Sequence, residues 1–322
     1  MRKLLLSIFV CLYPSLINAQ VAYVCSGSTK SKFHLNPECR GLKNCGGPIK
    51  KTTVAYMHSK GRLACKICSS DLLSSSKTAG GSNTISQFAS ITPVKTIGLE
   101  IPKTSKGIIQ QVIKHVGYTT SYNTNWLIPN WVAYELTNEE VKGTVPRPQT
   151  EFEPDPKVKG KVATHYDYSN SGYTRGHMAP AADMKWSQQA MLQSFYTSNI
   201  CPQISGLNGG VWQRLEDRCR ALTTDGSVFI CCGPIVSSNP KRIGENRVAV
   251  PTRFFKVLCM LRKGKWQAIG FVFPNENCKG SMFDYALTVD EVEKLTGHDF
   301  FSGLPDDIED AIESSWKMKD WQ

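Results

Sequence analysis

Beyond its first twenty residues the sequence has no apolar run long enough to cross a bilayer. It has no internal repeat. Charged residues make up only 20% and hydrophobic ones 41%, which excludes a disordered, collagen-like or multi-spanning membrane protein. Acidic residues are nearly absent from 21–68, where Glu38 stands alone against nine Lys and Arg. What the chain does carry in quantity is cysteine. Twelve in 322 residues is more than a reducing cytosol tolerates without metal or redox chemistry.

The amino terminus explains one of the twelve. Arg2 and Lys3 precede an apolar stretch from Leu4 to Ile17, which contains Cys11 and is followed by the small residue Ala19. This order predicts a secretory signal peptide over 1–19, too short and wrongly flanked for an anchor helix. The mature chain is then expected in the periplasm or outside the cell, without stable membrane association, and with eleven cysteines in an oxidising place. Five of these lie at Cys25, Cys39, Cys45, Cys65 and Cys68, and six at Cys201, Cys219, Cys231, Cys232, Cys259 and Cys278. Between the groups, 69–91 is rich in Ser, Thr and Gly and reads as a linker, because it has too little apolar surface to offset its ordering entropy. The organisation predicted is a module at 20–68 and a large domain at 92–322.

Charge divides the same way. The net charge is +11, with +2 in the signal segment, +8 in 21–68 and only +1 in 92–322. Inside the large domain, 92–275 carries +9 and 276–322 carries −8. A basic body suits a polyanionic partner without proving one.

Periodicity predicts an α+β domain with an antiparallel sheet. Strands are expected at 131–136, 196–201 and 227–236, and a hairpin of 253–261 with 266–273 turning at Gly264. Helices are expected at 187–195, 208–222 and 306–316, and from Thr288 to Leu295 with a Thr288/Glu291 capping box. A short helix is expected at 53–59.

One set of residues carries chemistry. Thr174-Arg175-Gly176-His177 is followed by Ser198-Asn199-Ile200-Cys201-Pro202-Gln203 and by Leu207-Asn208 through Trp212, Leu215 and Glu216. A histidine can take a proton near neutral pH. Asn208 and Glu216 are eight apart, about 80° on a helix, so both can face one site. A neutral oxygen plus a carboxylate that holds water suits Mg²⁺, and an arginine suits phosphate. Together these fit phosphodiester hydrolysis. Taken singly, each has a plainer reading: a turn histidine, a helix N-cap at Asn208, and a Glu216–Arg220 ion pair.

These motifs, in this order and spacing, resemble those of the DNA/RNA non-specific endonucleases. The likeness reaches upstream to Asn130-Trp131-Val132-Ala133-Tyr134-Glu135-Leu136-Thr137 and covers roughly residues 98 to 318. It implies the ββα-metal nuclease fold, DNA and RNA as substrates, 5′-phosphorylated products and a Mg²⁺ (or Mn²⁺) cofactor. By the same resemblance His177 is the general base, Asn208 the direct metal ligand, and Glu216 the holder of the metal's waters. Asn199 shapes the site, Arg175 contacts phosphate, and Arg147 matches the upstream arginine. The family's first motif residue is Asp; here it is Thr174, which still offers a hydroxyl to orient its neighbours. The same departure motivates a rival reading, a catalytically weakened nucleic-acid-binding protein. His115 and His165 read as structural or surface residues.

In the small module, His34-x4-Cys39 with Cys65-x2-Cys68 has the spacing of a structural zinc site. Under fifty residues need such a staple. Cys25 and Cys45 then remain as a disulfide pair. Disulfides alone would leave one thiol over. A redox or zinc-handling protein is a further alternative, though no βαβ pattern surrounds the Cys-x-x-Cys.

Overall fold

The computed structural model describes residues 98–149 and 152–322, together with 21–25, 32–39, 42, 43, 45, 47–53, 57, 65 and 68. The expected signal segment and linker lie outside the described residues. The chain divides into two compact units, Met1–Ile97 and Gly98–Gln322. The first contains the antiparallel pair β1 (Val21–Cys25) and β2 (Ile49–Thr53), and a disulfide joins Cys25 to Cys45. Its small core is Ala22, Val24, Phe33 and Met57. Of the helix expected at 53–59, Thr53 belongs to β2, Met57 is helical and the other residues are outside the described set.

In the second unit β3 is Lys103–Thr104, β4 Gln111–Lys114, β5 Thr119–Asn123, β6 Ile128–Leu136, β7 Thr174–His177, β8 Ile200–Gln203 and β9 Val228–Ile235. They are followed by β10 (Arg242–Ile243), β11 (Val248–Ala249), β12 (Arg253–Arg262), β13 (Lys265–Pro274), β14 (Ala286–Leu287) and β15 (His298–Asp299). Seven of them form one antiparallel sheet in the order β14-β13-β12-β9-β6-β5-β4. The β12–β13 hairpin runs in register from Arg253↔Pro274 to Arg262↔Lys265. Its two-residue loop has φ of 50° at Lys263 and 75° at Gly264, the twist-matched turn for which glycine is preferred.

Side chains alternate across β12, so the sheet buries two faces. Phe254 packs 5.7 Å from the Trp212 ring and Phe255 packs 5.6 Å from Phe300 on the opposite face. Helix α1 (Asn138–Val141) follows β6, and α2 (Gln188–Gln193) is capped by Ser187. Helix α3 (Gln213–Leu222) lies on the Phe254 face. Helix α4 (Val289–Thr296) packs on the Phe255 face, where a Cβ at Gly270 would come 2.5 Å from Val292 Cγ2. Its Thr288/Glu291 capping box is present and Gly297 ends it at φ 70°. Helix α5 is Asp306–Glu313, three residues shorter than the sequence pattern suggests.

Two expectations need correction. The strand expected at 196–201 begins only at Ile200, because Thr197–Asn199 form a tight turn closed by Asn199 N–H donating to Tyr196 O. The helix expected over 208–222 is regular only from Gln213. Asn208–Trp212 form a wider π-type turn with Gly210 at φ −109°, ψ −118°, where the Gly209-Gly210 pair gives little helical preference. The six cysteines of the large unit are all free thiols, five of them buried. Cys231 and Cys232 stand back to back on opposite faces of β9, opposite Val257 and Lys256 respectively.

Gly233 tests how tightly β9 is held. A Cβ there would sit 2.4 Å from Asn130 O and 3.0 Å from Trp131 Cα, both backbone atoms that cannot swing aside. Gly233→Ala should therefore cost about 1–3 kcal/mol, read as a lower urea midpoint with an unchanged slope.

Candidate active site

Strands β7 and β8 form a separate two-stranded ladder that sets the first two motifs side by side. Thr174 pairs with Gln203, Arg175 with Pro202, Gly176 with Cys201 and His177 with Ile200. Glycine is required at 176 by contact, since a Cβ would fall 2.2 Å from Gln203 Oε1 and 2.7 Å from Gln203 Cβ. Asn199 is fully buried and is spent on the backbone. Its Oδ1 accepts from Ala179 N at 2.8 Å, while its Nδ2 donates to Ala179 O at 2.9 Å and Ser194 O at 2.8 Å. It therefore pins the chain just after His177 and presents no free group to a substrate.

The His177 ring stands edge-on to Phe195 at 5.2 Å and tilted against Phe152 at 5.3 Å. Burial, and secondarily the charge of Arg147, push its pKa down to about 3. The imidazole is thus neutral at physiological pH, and its Nε2 has no hydrogen-bond partner. This is the state a general base needs before it acts.

Asn208 does not cap a helix, since its own backbone is helical at φ −57°, ψ −51°. Its Nδ2 donates to Thr174 Oγ1 at 3.1 Å, and the Thr174 hydroxyl donates in turn to Gln203 O at 2.8 Å. The amide is thereby oriented with its nitrogen engaged and its Oδ1 left to act as a ligand. Glu216 is half-buried in the first turn of α3. Burial raises its carboxyl to about 8 against the opposing charge of Lys256. A neutral amide oxygen and a carboxylate whose ionisation calls for a nearby cation form a hard-oxygen set that fits Mg²⁺ or Mn²⁺.

Arg175 Nη2 donates to His165 O at 2.7 Å and to Ser169 Oγ at 3.1 Å, with its guanidinium 5.8 Å from the Phe152 and Tyr168 rings. Arg147 is exposed and stacks 4.9 Å over Phe195, the ring that also touches His177. Both arginines are thus tied through aromatic rings to His177. His165, read as structural or surface, holds Arg175 through its carbonyl. His115 is not a surface residue: it is buried, with Nε2 2.8 Å from Asp155 Oδ2.

Several residues of the site were not singled out in the sequence. Among them are the acids that Arg220 meets, Asp183 at 2.6 Å and Asp217, in place of the Glu216 pairing that was the plainer reading. Asp183 is fully buried and accepts from Tyr134 Oη at 2.9 Å. Lys256 is fully buried 4.4 Å over the Trp212 ring, and its Nζ has no hydrogen-bond partner. Burial opposes its charge, yet the acidic groups of Cys232, Glu216, Cys219 and Asp183 outweigh that and hold its pKa up. A lone lysine within the apolar run Phe254-Phe255-Lys256-Val257-Leu258 was the available signal.

The sequence profile of the DNA/RNA non-specific endonucleases matches residues 97–307. The chain belongs to that family. A solved EndoG/EndoGI complex, described as a mechanism of EndoG inhibition, overlays with a TM-score of 0.59 at 30% identity, over 62% of this chain and 89% of that one. The fold is accordingly the ββα-metal nuclease fold, with β7, β8 and α3 as its ββα unit. "Nuclease EXOG, mitochondrial" of Xenopus laevis is 37% identical over an alignment of 211 residues that covers 60% of this chain and 59% of that protein's length. "Endonuclease G, mitochondrial" of Bos taurus is 33% identical over 59% of this chain and 68% of its own length. "Nuclease C1" of Cunninghamella echinulata var. echinulata is 34% identical over 62% of this chain and 85% of its own.

A second constellation lies in the amino-terminal unit. His34, Cys39, Cys65 and Cys68 each offer a donor atom, all within 4.8 Å of one another. Cys39 Sγ and Cys65 Sγ are 3.9 Å apart, and His34 Nδ1 is 3.6 Å from Cys68 Sγ. A tetrahedron with Zn–S near 2.3 Å and Zn–N near 2.05 Å requires separations of about 3.8 Å and about 3.6 Å. The four side chains therefore fit zinc as they stand.

Proposed function

We propose that the protein is an exported, Mg²⁺- or Mn²⁺-dependent endonuclease that hydrolyses DNA and RNA without strong sequence preference and leaves 5′-phosphates. The observation that carries this reading is a neutral His177 held between the two rings that carry Arg175 and Arg147, with the Asn208 amide tied through Thr174 to the same strand. In the reaction the His177 imidazole takes a proton from the attacking water. The water oxygen bonds to phosphorus and the bond from phosphorus to the 3′-oxygen breaks. The 3′-oxygen leaves with a proton from solvent. Asn208 and Glu216 would hold the divalent cation, which supplies positive charge at the phosphate and the leaving oxygen. The arginines neutralise the phosphodiester and the extra charge of the pentacovalent transition state. Phe152 and Phe195 fix the His177 ring and shield it from bulk water. The signal-like amino terminus supports export, and the donor geometry supports a structural zinc in the small module. The +8 carried by 21–68 suits that module to an anionic surface such as the substrate.

Plasmid DNA and total RNA incubated with Mg²⁺ should both be cut, and EDTA should abolish cutting. His177→Ala should lose about 10²–10⁴-fold in rate with an unchanged thermal unfolding curve. Undiminished cleavage by that variant would refute the assigned base.

Thr174→Val removes the acceptor that orients Asn208. The Mg²⁺ concentration for half-maximal rate should rise about 10-fold, with most of the rate recovered at saturating Mg²⁺. Elemental analysis of the purified full chain should find one zinc per molecule, lost in Cys39→Ser together with Cys65→Ser. A metal-free wild-type module would overturn the zinc site.

A further inference from the structure

We propose a calcium site on the sheet face opposite the catalytic residues, held by Asp290 and Glu293 of α4 and Glu313 of α5. The three carboxylates each bring an oxygen within 4.8 Å of the other two. Calcium binds oxygens at 2.3–2.6 Å, so two ligands of one ion are at most about 5 Å apart. Magnesium keeps most of its waters and is held by one or two carboxylates, so a set of three protein carboxylates favours the larger ion.

A cluster of acids alone could be a solvated surface. Glu313 sets this one apart. It is only 5% exposed, and its Oε1 has no hydrogen-bond partner. It is also the last residue of its helix, where the helix dipole disfavours negative charge. Its companion one turn back is Glu309, another like charge on the same face. Burial first, and then the charges of Glu293, Glu309, Asp290 and Asp299, push the Glu313 carboxyl up to about 9. Five carboxylates thus crowd one corner. The cations acting there are Lys103, which pairs with Asp299 at 3.3 Å, and Lys294. Glu293 is already fixed, because its Oε1 accepts from Phe300 N at 2.7 Å and so its other oxygen has a set direction.

A divalent ion resolves this arrangement. It neutralises the buried carboxylate, joins α4 to α5 and lets waters complete the 6–8 oxygens that calcium takes. It also gives a purpose to part of the −8 in 276–322, which works against binding a polyanion. The site is structural and independent of catalysis.

The test is the melting temperature of the full chain, at constant ionic strength, as CaCl₂ is raised to about 1 mM. The wild type should show a saturable rise of about 3 °C or more. The rise should persist in Asn208→Ala, which removes the catalytic metal ligand, and disappear in both Glu313→Gln and Asp290→Asn. Asp290 is half-buried, so Asp290→Asn decides the matter if Glu313→Gln does not fold. No rise in the wild type, or an undiminished rise in the cluster variants, overturns the site. An equal rise with MgCl₂ in Asn208→Ala overturns the choice of calcium.

Discussion

A sheet covered on both faces can accept a charge only where another charge meets it. Unpaired ions in a low-dielectric interior cost several kcal/mol each. The central strands β9 and β12 are buried along nearly their whole length, yet Lys256 enters from β12 and Asp183 lies fully buried on the same side. Helix α3 meets this demand by laying Glu216 and Arg220 over the same patch. The polar stripe of α3 is thus not decoration on an apolar helix. Arg220 answers the buried Asp183 directly, and the charges of Lys256, Asp183 and Arg220 all act on the Glu216 carboxyl.

The β7–β8 ladder adds a second constraint, one of shape. Gly176 admits Gln203 at a distance no side chain would allow, and Asn199 spends its hydrogen bonds on the backbone of Ala179 and Ser194. Neither residue needs to touch a substrate to matter. Thr174 fits the same logic: where the family has a carboxylate, a neutral hydroxyl links the Asn208 amide to the Gln203 backbone. Orientation survives the change because both side chains can accept a hydrogen bond from an amide N–H.

Much of this was legible in the sequence. Elements specified by local chemistry appear where their residues put them: the Gly264 hairpin, the Thr288/Glu291 box, and the apolar run from Trp131 to Leu136. The family was also legible, because motif order and spacing carry the resemblance. What escaped was whatever depends on partners distant in sequence. The π-type turn at Asn208–Trp212 replaces a regular helix, so the eight-residue argument placing Glu216 beside Asn208 described a geometry the chain does not adopt. Arg220 has two acids within reach besides Glu216, and one of them is 37 residues away. His115, read as structural or surface, is structural, and its partner Asp155 lies 40 residues away. The donor atoms of the His34 cluster converge as their spacing suggested.

The six thiols of the large unit bear on how such a chain must be made. Burial raises the pKa of every one of them, to about 12 at Cys219 and about 11 at Cys232. In the native state they are therefore poor nucleophiles as well as shielded ones. An unfolded chain has neither protection. Its thiols return to ordinary acidity and can reach one another, including neighbours such as Cys231 and Cys232 that the native sheet holds on opposite faces. A crosslink between those two is incompatible with the sheet. Maturation becomes a race between folding and oxidation, and an oxidant that wins it traps the chain for good.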